Sequence, residues 1–208
     1  MSIGRFITLE GIEGAGKSTV AKFVCGWLVR RAVTVLATRE PGGTPLAERV
    51  RQIVLEHGPE PVSALSETLL MFAARALHLG NVIRPALARG EWVVCDRFTD
   101  ATRAYQGSGR GVDPELIERL AAAVHAGVSP DCTLLLDVPV SVGLARARSR
   151  SAASPDRFEA ETAAFFERVR AGYLEVARRE PGRVRIVDAA APLEAVQSQV
   201  GRILEGLV

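Results

Sequence analysis

An eight-residue stretch near the start of the chain has the residue types and spacing of a polyphosphate cradle. Residues 11–18 read GIEGAGKS, which is Gly-x-x-x-x-Gly-Lys-Ser. Glycines let such a loop wrap with its backbone N–H groups pointing inward, and the helix that follows adds the positive end of its dipole. We expect Lys17 to reach the β- and γ-phosphates of a nucleoside triphosphate and Ser18 to ligate Mg²⁺. The predicted nucleotide-binding residues are Gly11, Ile12, Glu13, Gly14, Ala15, Gly16, Lys17, Ser18 and Thr19.

Lysine is rare in this chain, and the rarity adds weight to the motif. Only Lys17 and Lys22 are lysines among the 26 basic residues. A compact ammonium on a flexible stem is not replaceable by a planar guanidinium at every site, so Lys17 is suited to a role that arginine does not fill. The same scarcity excludes signalling GTPases, because their guanine-reading Asn-Lys-x-Asp segment cannot be built from these two lysines.

The composition is that of one globular domain and gives no sign of a macromolecular partner. The chain has 208 residues, of which 48% are apolar and 24% are charged, and its formal net charge is +2. That charge gives no reason to expect binding to nucleic acid or to a membrane, and no apolar run approaches the roughly 18 residues that cross a bilayer. Cys25, Cys95 and Cys132 lack metal-ligand spacing. We therefore expect three buried, reduced thiols in a cytoplasmic protein.

Five apolar runs predict the strands that must position the loop, at residues 5–11, 33–40, 92–97, 132–138 and 183–189. Their Val, Ile and Leu content without polar alternation is typical of strands buried on both faces. Helical patterns follow at residues 17–31, 46–57, 63–89, 114–128, 140–150, 159–179 and 192–205. The alternation predicts one α/β domain over residues 1–208. We expect a three-layer P-loop NTPase fold, in which a five-stranded parallel sheet carries helices on both faces.

Charged residues follow four of the predicted strands at the edge where such sheets bind ligands. The first strand ends in Glu10, the second in TREPGGT at residues 38–44, the third in DRF at residues 96–98, and the fourth in Asp137. The carboxyl ends of parallel strands meet at one edge of the sheet. The sequence therefore predicts a phosphate-handling site at this edge.

Six motifs, EGIEGAGKST, TREPGGT, LMFAAR, DRF, AYQGSGRG and DRFE, occur in this order over about residues 6–159. Together they resemble the bacterial thymidylate kinases, a family of P-loop nucleoside monophosphate kinases. The resemblance implies transfer of phosphate from ATP to dTMP to give dTDP, a step in the dTTP synthesis that supplies DNA replication. It also implies Mg²⁺ as cofactor, ATP and dTMP as small-molecule substrates, and a homodimer formed through helices.

Two of these motifs offer groups that can read a base and its sugar. Phe72 and Arg75 are three residues apart on a predicted helix and share a face, so a ring can stack on a base while a guanidinium donates to its edge. The resemblance assigns Phe72 to stacking on thymine and Arg75 to O4. Thr102 and Gln106 are four apart on a short predicted helix, and Gln106 offers amide groups to the base. Tyr105 resembles the residue that crowds the 2′ position of the sugar and excludes ribonucleotides.

TREPGGT places an arginine where a strand must end. Pro41 and the two glycines after it turn the chain sharply, so Arg39 lies at the sheet edge and is suited to bidentate phosphate recognition. By resemblance, Arg39 and Pro41 belong to the dTMP site, Arg39 binds the dTMP phosphate, and Glu40 belongs to the same polar network. Arg51 is a further candidate for that phosphate.

DRF repeats the arrangement on the third strand. By its position, Asp96 lies near Mg²⁺ or its waters, and Arg97 points toward the transferring phosphate. Phe98 stands where the family often carries Tyr or His, and we expect no change in the chemistry from this departure.

The resemblance also assigns the charge-neutralising groups. Glu13 would meet the 3′-OH of dTMP and help to organise the metal. The family takes one catalytic arginine from the loop or from a lid, and because Gly14 follows Glu13, a lid at about residues 146–158 must supply it. Arg146 and Arg150 share a helical face and Arg148 points away, so Arg150, beside the small polar residues SAASPD, is the candidate. The predicted catalytic residues are Glu13, Lys17, Arg97 and Arg150. Arg157 is a weaker candidate for contact with the nucleotide.

Two alternatives stay open at this point. Another nucleoside monophosphate or deoxynucleoside kinase would use the same layout with a different base or a bare 5′-hydroxyl, and a P-loop ATPase switch would use the cradle without an acceptor pocket. His57, His78 and His125 share no spacing, so we assign them no metal and no proton-transfer role. We expect Trp27 and Trp92 in the core.

Overall fold

Five parallel strands form one sheet in the computed structural model, which describes residues 4–58, 60–150 and 156–208 apart from the side chain of Arg150. The strands are β1 (Phe6–Glu10), β2 (Val35–Arg39), β3 (Trp92–Asp96), β4 (Cys132–Asp137) and β5 (Val184–Asp188). Their order is β2-β3-β1-β4-β5, and every neighbouring pair is parallel. Each strand lies within its predicted bounds, so the prediction of a five-stranded parallel sheet is confirmed.

Helices connect the strands throughout the described part of the chain. They are α1 (Lys17–Val29), α2 (Pro45–Leu55), α3 (Ala64–His78), α4 (Arg84–Ala88), α5 (Thr99–Thr102), α6 (Pro114–His125), α7 (Val140–Arg150), α8 (Ala163–Arg179) and α9 (Leu193–Glu205). Two π-helical segments, Leu79–Ile83 and Arg103–Gly109, continue α3 and α5. Helices α1, α4, α8 and α9 contact the strands directly, which gives the expected α/β arrangement.

The single helix predicted over residues 63–89 has three parts. It begins where the Ser63 side chain accepts from the backbone N–H of Ser66, and it runs through α3, the segment Leu79–Ile83 and α4. Pro85 lies just past the π-helical turn. A proline ring crowds the preceding turn of an α-helix and has no N–H to donate, so the wider turn falls where the regular ladder has to be interrupted.

Helix α8 begins at Ala163 rather than at the predicted residue 159. Thr162 caps it by accepting from the backbone N–H of Phe165, and the Asp156 carboxylate accepts from the N–H groups of Phe158 and Glu159 at 2.9 Å. The predicted start was wrong because Asp156 closes a separate turn, and short polar side chains favour such turns over a helix.

Strand register places the charged strand ends together. Leu9 and Arg39 are both register partners of Asp96, so the carboxyl ends of β1, β2 and β3 lie side by side. Glu10 follows Leu9 and is fully buried. The predicted convergence of charged residues at one edge of the sheet is confirmed for these three strands.

The core behind this edge holds most of the residues predicted for it. Trp27 and Trp92 are buried in the main cluster, and Cys95 and Cys132 are buried free thiols. Cys25 is only partly buried, so the expectation of three buried thiols was wrong for this residue; it lies on α1, whose outer side is exposed. Within the described ranges, no helix is both long and apolar enough to span a membrane.

Candidate active site

The Gly-rich loop joins β1 to α1 in a conformation that requires glycine. Gly11, Gly14 and Gly16 have φ values of 137°, 74° and 93°, which side chains rarely adopt. A Cβ added at Gly14 would lie 1.9 Å from the backbone oxygen of Gly143 on α7. Glycine is therefore needed at residue 14 for two reasons: the left-handed backbone and the close packing of the loop against α7.

Lys17 lies over its own loop. Its Nζ donates to the carbonyls of Gly11 and Ile12 at 3.0 and 2.9 Å. Burial, together with the neighbouring Arg97 guanidinium, lowers the pKa of Lys17 to about 8. The Lys17 ammonium is thus held at the loop by two neutral carbonyl groups, and its charged form is disfavoured there. A bound polyphosphate would supply negative charge beside it.

Strand β3 ends in Asp96, whose side chain is a carboxylate. Asp96 Oδ1 is buried without a hydrogen-bond partner among the described residues. Buried polar atoms are ordinarily paired, and a carboxylate oxygen is a ligand that Mg²⁺ or its waters prefer. No three His, Cys, Asp or Glu side chains of the described chain are grouped to hold a metal by themselves. A magnesium ion would therefore depend on Asp96, the Ser18 hydroxyl and phosphate oxygens, which is how Mg²⁺ is commonly bound.

Arg97 forms hydrogen bonds both to the Gly-rich loop and to side chains that line a cleft beside the loop. It has φ 72°, an unusual value for a residue with a side chain. Its Nη1 donates to Gly11 O and to Tyr173 Oη at 3.1 Å, and its Nη2 donates to Glu13 Oε1 at 2.8 Å. Tyr105 Oη lies 3.2 Å from Arg97 Nη2 and donates to the other oxygen of Glu13. Glu13, Arg97 and Tyr105 therefore form one hydrogen-bonded group beside the Gly-rich loop.

Glu10 supports the turn that orients Arg97. Its two oxygens accept from the Phe98 backbone N–H at 2.7 Å and from Tyr173 Oη at 2.8 Å. Burial raises the pKa of Glu10 to about 8, and the nearby Asp100 carboxylate adds to the rise. Sequence reasoning noted Glu10 only as a strand end. Its role in fixing the DRF turn depends on contacts between β1, β3 and α8.

A cleft beside the loop encloses about 750 Å³ of open space, including solvent at its mouth. All of the predicted acceptor-binding residues except Arg39 and Phe72 line it, and so does Glu13. Arg51, the weaker candidate, also lines the cleft, and its Nη1 donates to Pro41 O at 3.1 Å.

Phe72 does not lie where the predicted stacking role requires. Its side chain is 2% exposed and packs with Val112, Ile117 and Ala121, and its neighbour Met71 lines the cleft instead. On a helix, residues three and four positions before Arg75 both lie near its face, so spacing alone did not separate Phe72 from Met71. The packing of Phe72 conflicts with its predicted stacking role, and Met71 is the neighbouring α3 side chain that faces the cleft.

Arg39 and Glu40 belong to different networks, contrary to expectation. The Arg39 side chain is 50% exposed and pairs with Glu48 at 2.7 Å. Glu40 is buried and accepts from Arg75 Nε at 2.7 Å through one oxygen, and its other oxygen lies 3.0 Å from His78 Nδ1. Successive residues of a strand point to opposite sides, which separates the two side chains.

The buried network holds Arg75 in a defined orientation. His78 Nε2 lies 2.7 Å from Thr38 Oγ1, so His78 links β2 to Glu40. Arg75 Nη2 donates to Phe98 O at 3.1 Å and to Thr102 Oγ1 at 3.2 Å, whereas its Nη1 is buried without a partner among the described residues. The sequence analysis assigned no role to His78. Its position three residues after Arg75 on the same helix does indicate that the two side chains share a face.

A second buried carboxylate, Glu67, was also missed. It accepts hydrogen bonds from Gln106, Arg110 and Arg157, and it precedes Met71 and Arg75 at steps of four on α3. Arg157 additionally donates through Nε to Val54 O at 2.9 Å. Its guanidinium is therefore engaged with α2 and α3, which leaves the expected contact between Arg157 and the nucleotide without support.

The lid arginines are only partly described. Arg146 donates to Ala189 O at 2.8 Å, and Arg148 is exposed. Arg150 is the last residue of α7, and its side chain and residues 151–155 lie outside the described residues. The choice of Arg150 and the lid at about residues 146–158 therefore stay predictions.

The amino-acid sequence is similar to thymidylate kinases along nearly its whole length. The family model for thymidylate kinase matches residues 9–200. The thymidylate kinase of Methylococcus capsulatus is 55% identical over 208 residues, covering 100% of this chain and 98% of that protein. The thymidylate kinase of Teredinibacter turnerae is 54% identical over 205 residues, covering 99% of both chains.

Structural comparison agrees with the sequence comparison. The crystal structure of thymidylate kinase from Ehrlichia chaffeensis matches with a TM-score of 0.77 and 33% identity, covering 97% of this chain and 98% of that one. The predicted P-loop NTPase fold is thereby confirmed. With a family model over most of its length and relatives above 50% identity along nearly all of it, this chain belongs to the thymidylate kinase family.

Proposed function

We propose that this chain transfers the γ-phosphoryl group of ATP to dTMP, giving ADP and dTDP, and so contributes to dTTP supply. One observation carries the proposal. Arg97 bonds to the Gly-rich loop and lines the cleft, and a second lining residue, Arg75, has a buried guanidinium nitrogen, Nη1, without a partner among the described residues. A donor in that position suits the O4 carbonyl of a pyrimidine, and the adjoining loop suits a polyphosphate.

The donor nucleotide lies on the loop in this proposal. Backbone N–H groups between Gly11 and Thr19 bind its phosphates, and Lys17 leaves the carbonyls of Gly11 and Ile12 to reach the terminal phosphates. Ser18 and Asp96 would hold Mg²⁺, which supplies positive charge to the phosphate oxygens when it is bound.

Transfer itself depends on placement and on charge neutralisation. An oxygen of the dTMP phosphate attacks the γ-phosphorus, and the bond between that phosphorus and the β,γ-bridging oxygen breaks, leaving ADP. Arg97 lies where both phosphates would meet, and Lys17 and Arg150 complete the charge compensation. Arg39 and Arg51 are proposed to bind the acceptor phosphate, Arg39 after release from Glu48.

The sugar and base are placed by the rest of the cleft. Glu13 accepts from the 3′-OH, and Tyr105, held against Glu13, leaves no room for a 2′-OH. Met71 contacts the face of the base, because a thioether packs favourably on an aromatic ring. Arg75, oriented by Glu40 and Thr102, donates to O4.

We also propose a cytoplasmic homodimer. Four exposed apolar side chains, Leu46, Ile53, Leu65 and Leu69, lie on the neighbouring helices α2 and α3, and exposed apolar groups of this kind mark contact surfaces. Light scattering of the purified protein would give a mass of two chains, and a single-chain mass at micromolar concentration would contradict it.

The acceptor profile tests the proposed reaction. ADP release is measured with dTMP, dUMP, dCMP, dGMP, AMP or no acceptor, at saturating ATP and Mg²⁺. We expect the highest kcat/KM with dTMP and a rate near background without acceptor. A different best acceptor would indicate another nucleotide kinase, and a rate independent of acceptor would indicate an ATPase switch.

A further inference from the structure

Glu67 is a fully buried carboxylate that contacts the acceptor cleft only through a neighbour. Its relative exposure is 0%, and it does not line the cleft, whereas Gln106 does. Glu67 Oε1 accepts from Gln106 Nε2 at 2.7 Å and from Arg110 Nε at 2.9 Å. Glu67 Oε2 accepts from Arg110 Nε at 3.1 Å and from Arg157 Nη2.

Positively charged groups surround the Glu67 side chain, which acts as a hydrogen-bond acceptor toward them. Two guanidinium groups, from Arg110 and Arg157, donate to this buried carboxylate in ion pairs. A carboxylate accepts hydrogen bonds and donates none. The amide of Gln106 must therefore present its nitrogen to Glu67, because the reverse orientation would place two acceptor oxygens against each other without solvent.

This constraint determines what Gln106 offers to a ligand. With the nitrogen engaged, the free group of the amide is Oε1, an acceptor. No hydrogen bond within the described ranges involves that oxygen, and Gln106 is a lining residue of the cleft. Arg75 Nη1, also in a lining residue, is a buried donor without a partner among the described residues. Gln106 Oε1 and Arg75 Nη1 are thus an acceptor and a donor that the described part of the chain leaves available.

We propose that Glu67 is a positioning residue that sets base selectivity by fixing the orientation of the Gln106 amide. The inference rests on the proposed function and deepens it. A pyrimidine with an N3–H donor beside a C4 carbonyl matches Gln106 Oε1 and Arg75 Nη1. A cytosine presents an N3 acceptor and a 4-amino donor, so it meets the same two groups with both polarities reversed, and the acceptor class is the 4-oxopyrimidine deoxynucleotides.

A single isosteric substitution tests the role of Glu67. Glu67→Gln keeps the shape of the side chain but offers both a donor and an acceptor, so the Gln106 amide can turn over. We expect the ratio of kcat/KM for dTMP to kcat/KM for dCMP to fall at least about tenfold, with a rise in KM for dTMP and an unchanged KM for ATP. Glu67→Asp, which keeps the carboxylate, should retain a larger part of the ratio.

Glu161→Gln is the matched control. Glu161 accepts from Arg110 Nη1 at 2.7 Å and makes no described contact with Gln106. The change perturbs the same arginine by the same chemistry, so it should leave the dTMP to dCMP ratio within about twofold of wild type. An equal loss for both nucleotides in Glu67→Gln, or an unchanged ratio in the folded variant, would overturn the proposal.

The wild-type protein provides a second test that does not depend on the folding of a variant. dTMP methylated at N3 lacks the donor that Gln106 Oε1 would accept, and we expect its kcat/KM to fall at least about tenfold below that of dTMP. Equal use of both nucleotides would overturn the assigned amide orientation. Failure of the proposed function would be distinct, since the wild type would then not prefer dTMP in the acceptor series at all.

Discussion

Met71 and Phe72 are adjacent on α3 but have different surroundings, so their substitution should separate substrate binding from stability. Met71 lines the cleft and is partly buried, and Phe72 is 2% exposed within an apolar cluster. A thioether against an aromatic ring contributes about 0.3–1.5 kcal/mol. Because about 1.4 kcal/mol corresponds to a factor of ten, Met71→Ala should raise KM for dTMP by up to about tenfold. We expect kcat at saturating dTMP to change by less than about twofold.

Phe72→Leu supplies the contrasting case. Replacement of the ring leaves a void among Val112, Ile117 and Ala121, with an expected loss of about 1–2 kcal/mol in the free energy of unfolding. In a chain of this size, that loss lowers Tm by about 2–8 °C. KM for dTMP should stay within about twofold of wild type.

Initial rates as a function of dTMP, at saturating ATP, together with calorimetric melting of both variants, check this pair of expectations. A larger rise in KM for Phe72→Leu than for Met71→Ala would contradict the placement of Met71 in the cleft and Phe72 in the core. An unchanged KM for dTMP in Met71→Ala would contradict it as well.

Three further predictions concern single groups of the site. Arg150→Ala should lower kcat at least about 100-fold with little change in dTMP affinity, since a lid arginine acts on the transferring group; an unaffected kcat in steady-state assays would exclude it. Arg75→Ala should weaken dTMP binding and leave ATP binding intact in titration calorimetry, and equal loss of both would indicate a disturbed fold. Burial raises the pKa of Glu10 to about 8 from an ordinary 4.5, so the folded protein retains a proton that the unfolded chain releases between these values. The free energy of unfolding should therefore fall from pH 5 to pH 8 relative to Glu10→Gln, by about 3–4 kcal/mol, and a difference constant with pH in urea titrations would contradict this.

Local patterns in the sequence were sufficient for the fold and for the phosphate loop. Buried parallel strands read as uninterrupted apolar runs, and the loop needs glycine for its left-handed backbone, so both features are visible in short windows. The segment after residue 155 was harder. Arg157 looked free to bind a nucleotide, but its bonds to Val54 and Glu67 come from α2 and α3, which lie far away in sequence.

For the part of the cleft near Arg75, the sequence predicted which face of a helix lines it but not which side chain on that face does so. Spacing indicated that α3 lines the cleft, because a turn of 3.6 residues brings positions three and four apart to the same side. It could not decide between Met71 and Phe72, which differ by 100° around the helix axis. Only the packing of Val112 and Ile117 against Phe72 assigns one side chain to the core and leaves the other for the cleft.

Buried charge explains why this cleft can be selective although few of its groups would touch the ligand. Arg75 and Gln106 each use part of their hydrogen-bonding capacity on a buried carboxylate, Glu40 for the first and Glu67 for the second. Because a carboxylate can only accept, Glu67 fixes which end of the Gln106 amide stays available, whereas Glu40 fixes the orientation of a guanidinium that is a donor in any case. A wrong base then loses hydrogen bonds and also leaves a buried donor or acceptor unpaired, which costs more than a missing contact. In the proposed function, the two buried carboxylates therefore set the recognition pattern of the cleft, Glu67 through the Gln106 amide and Glu40 through the Arg75 guanidinium.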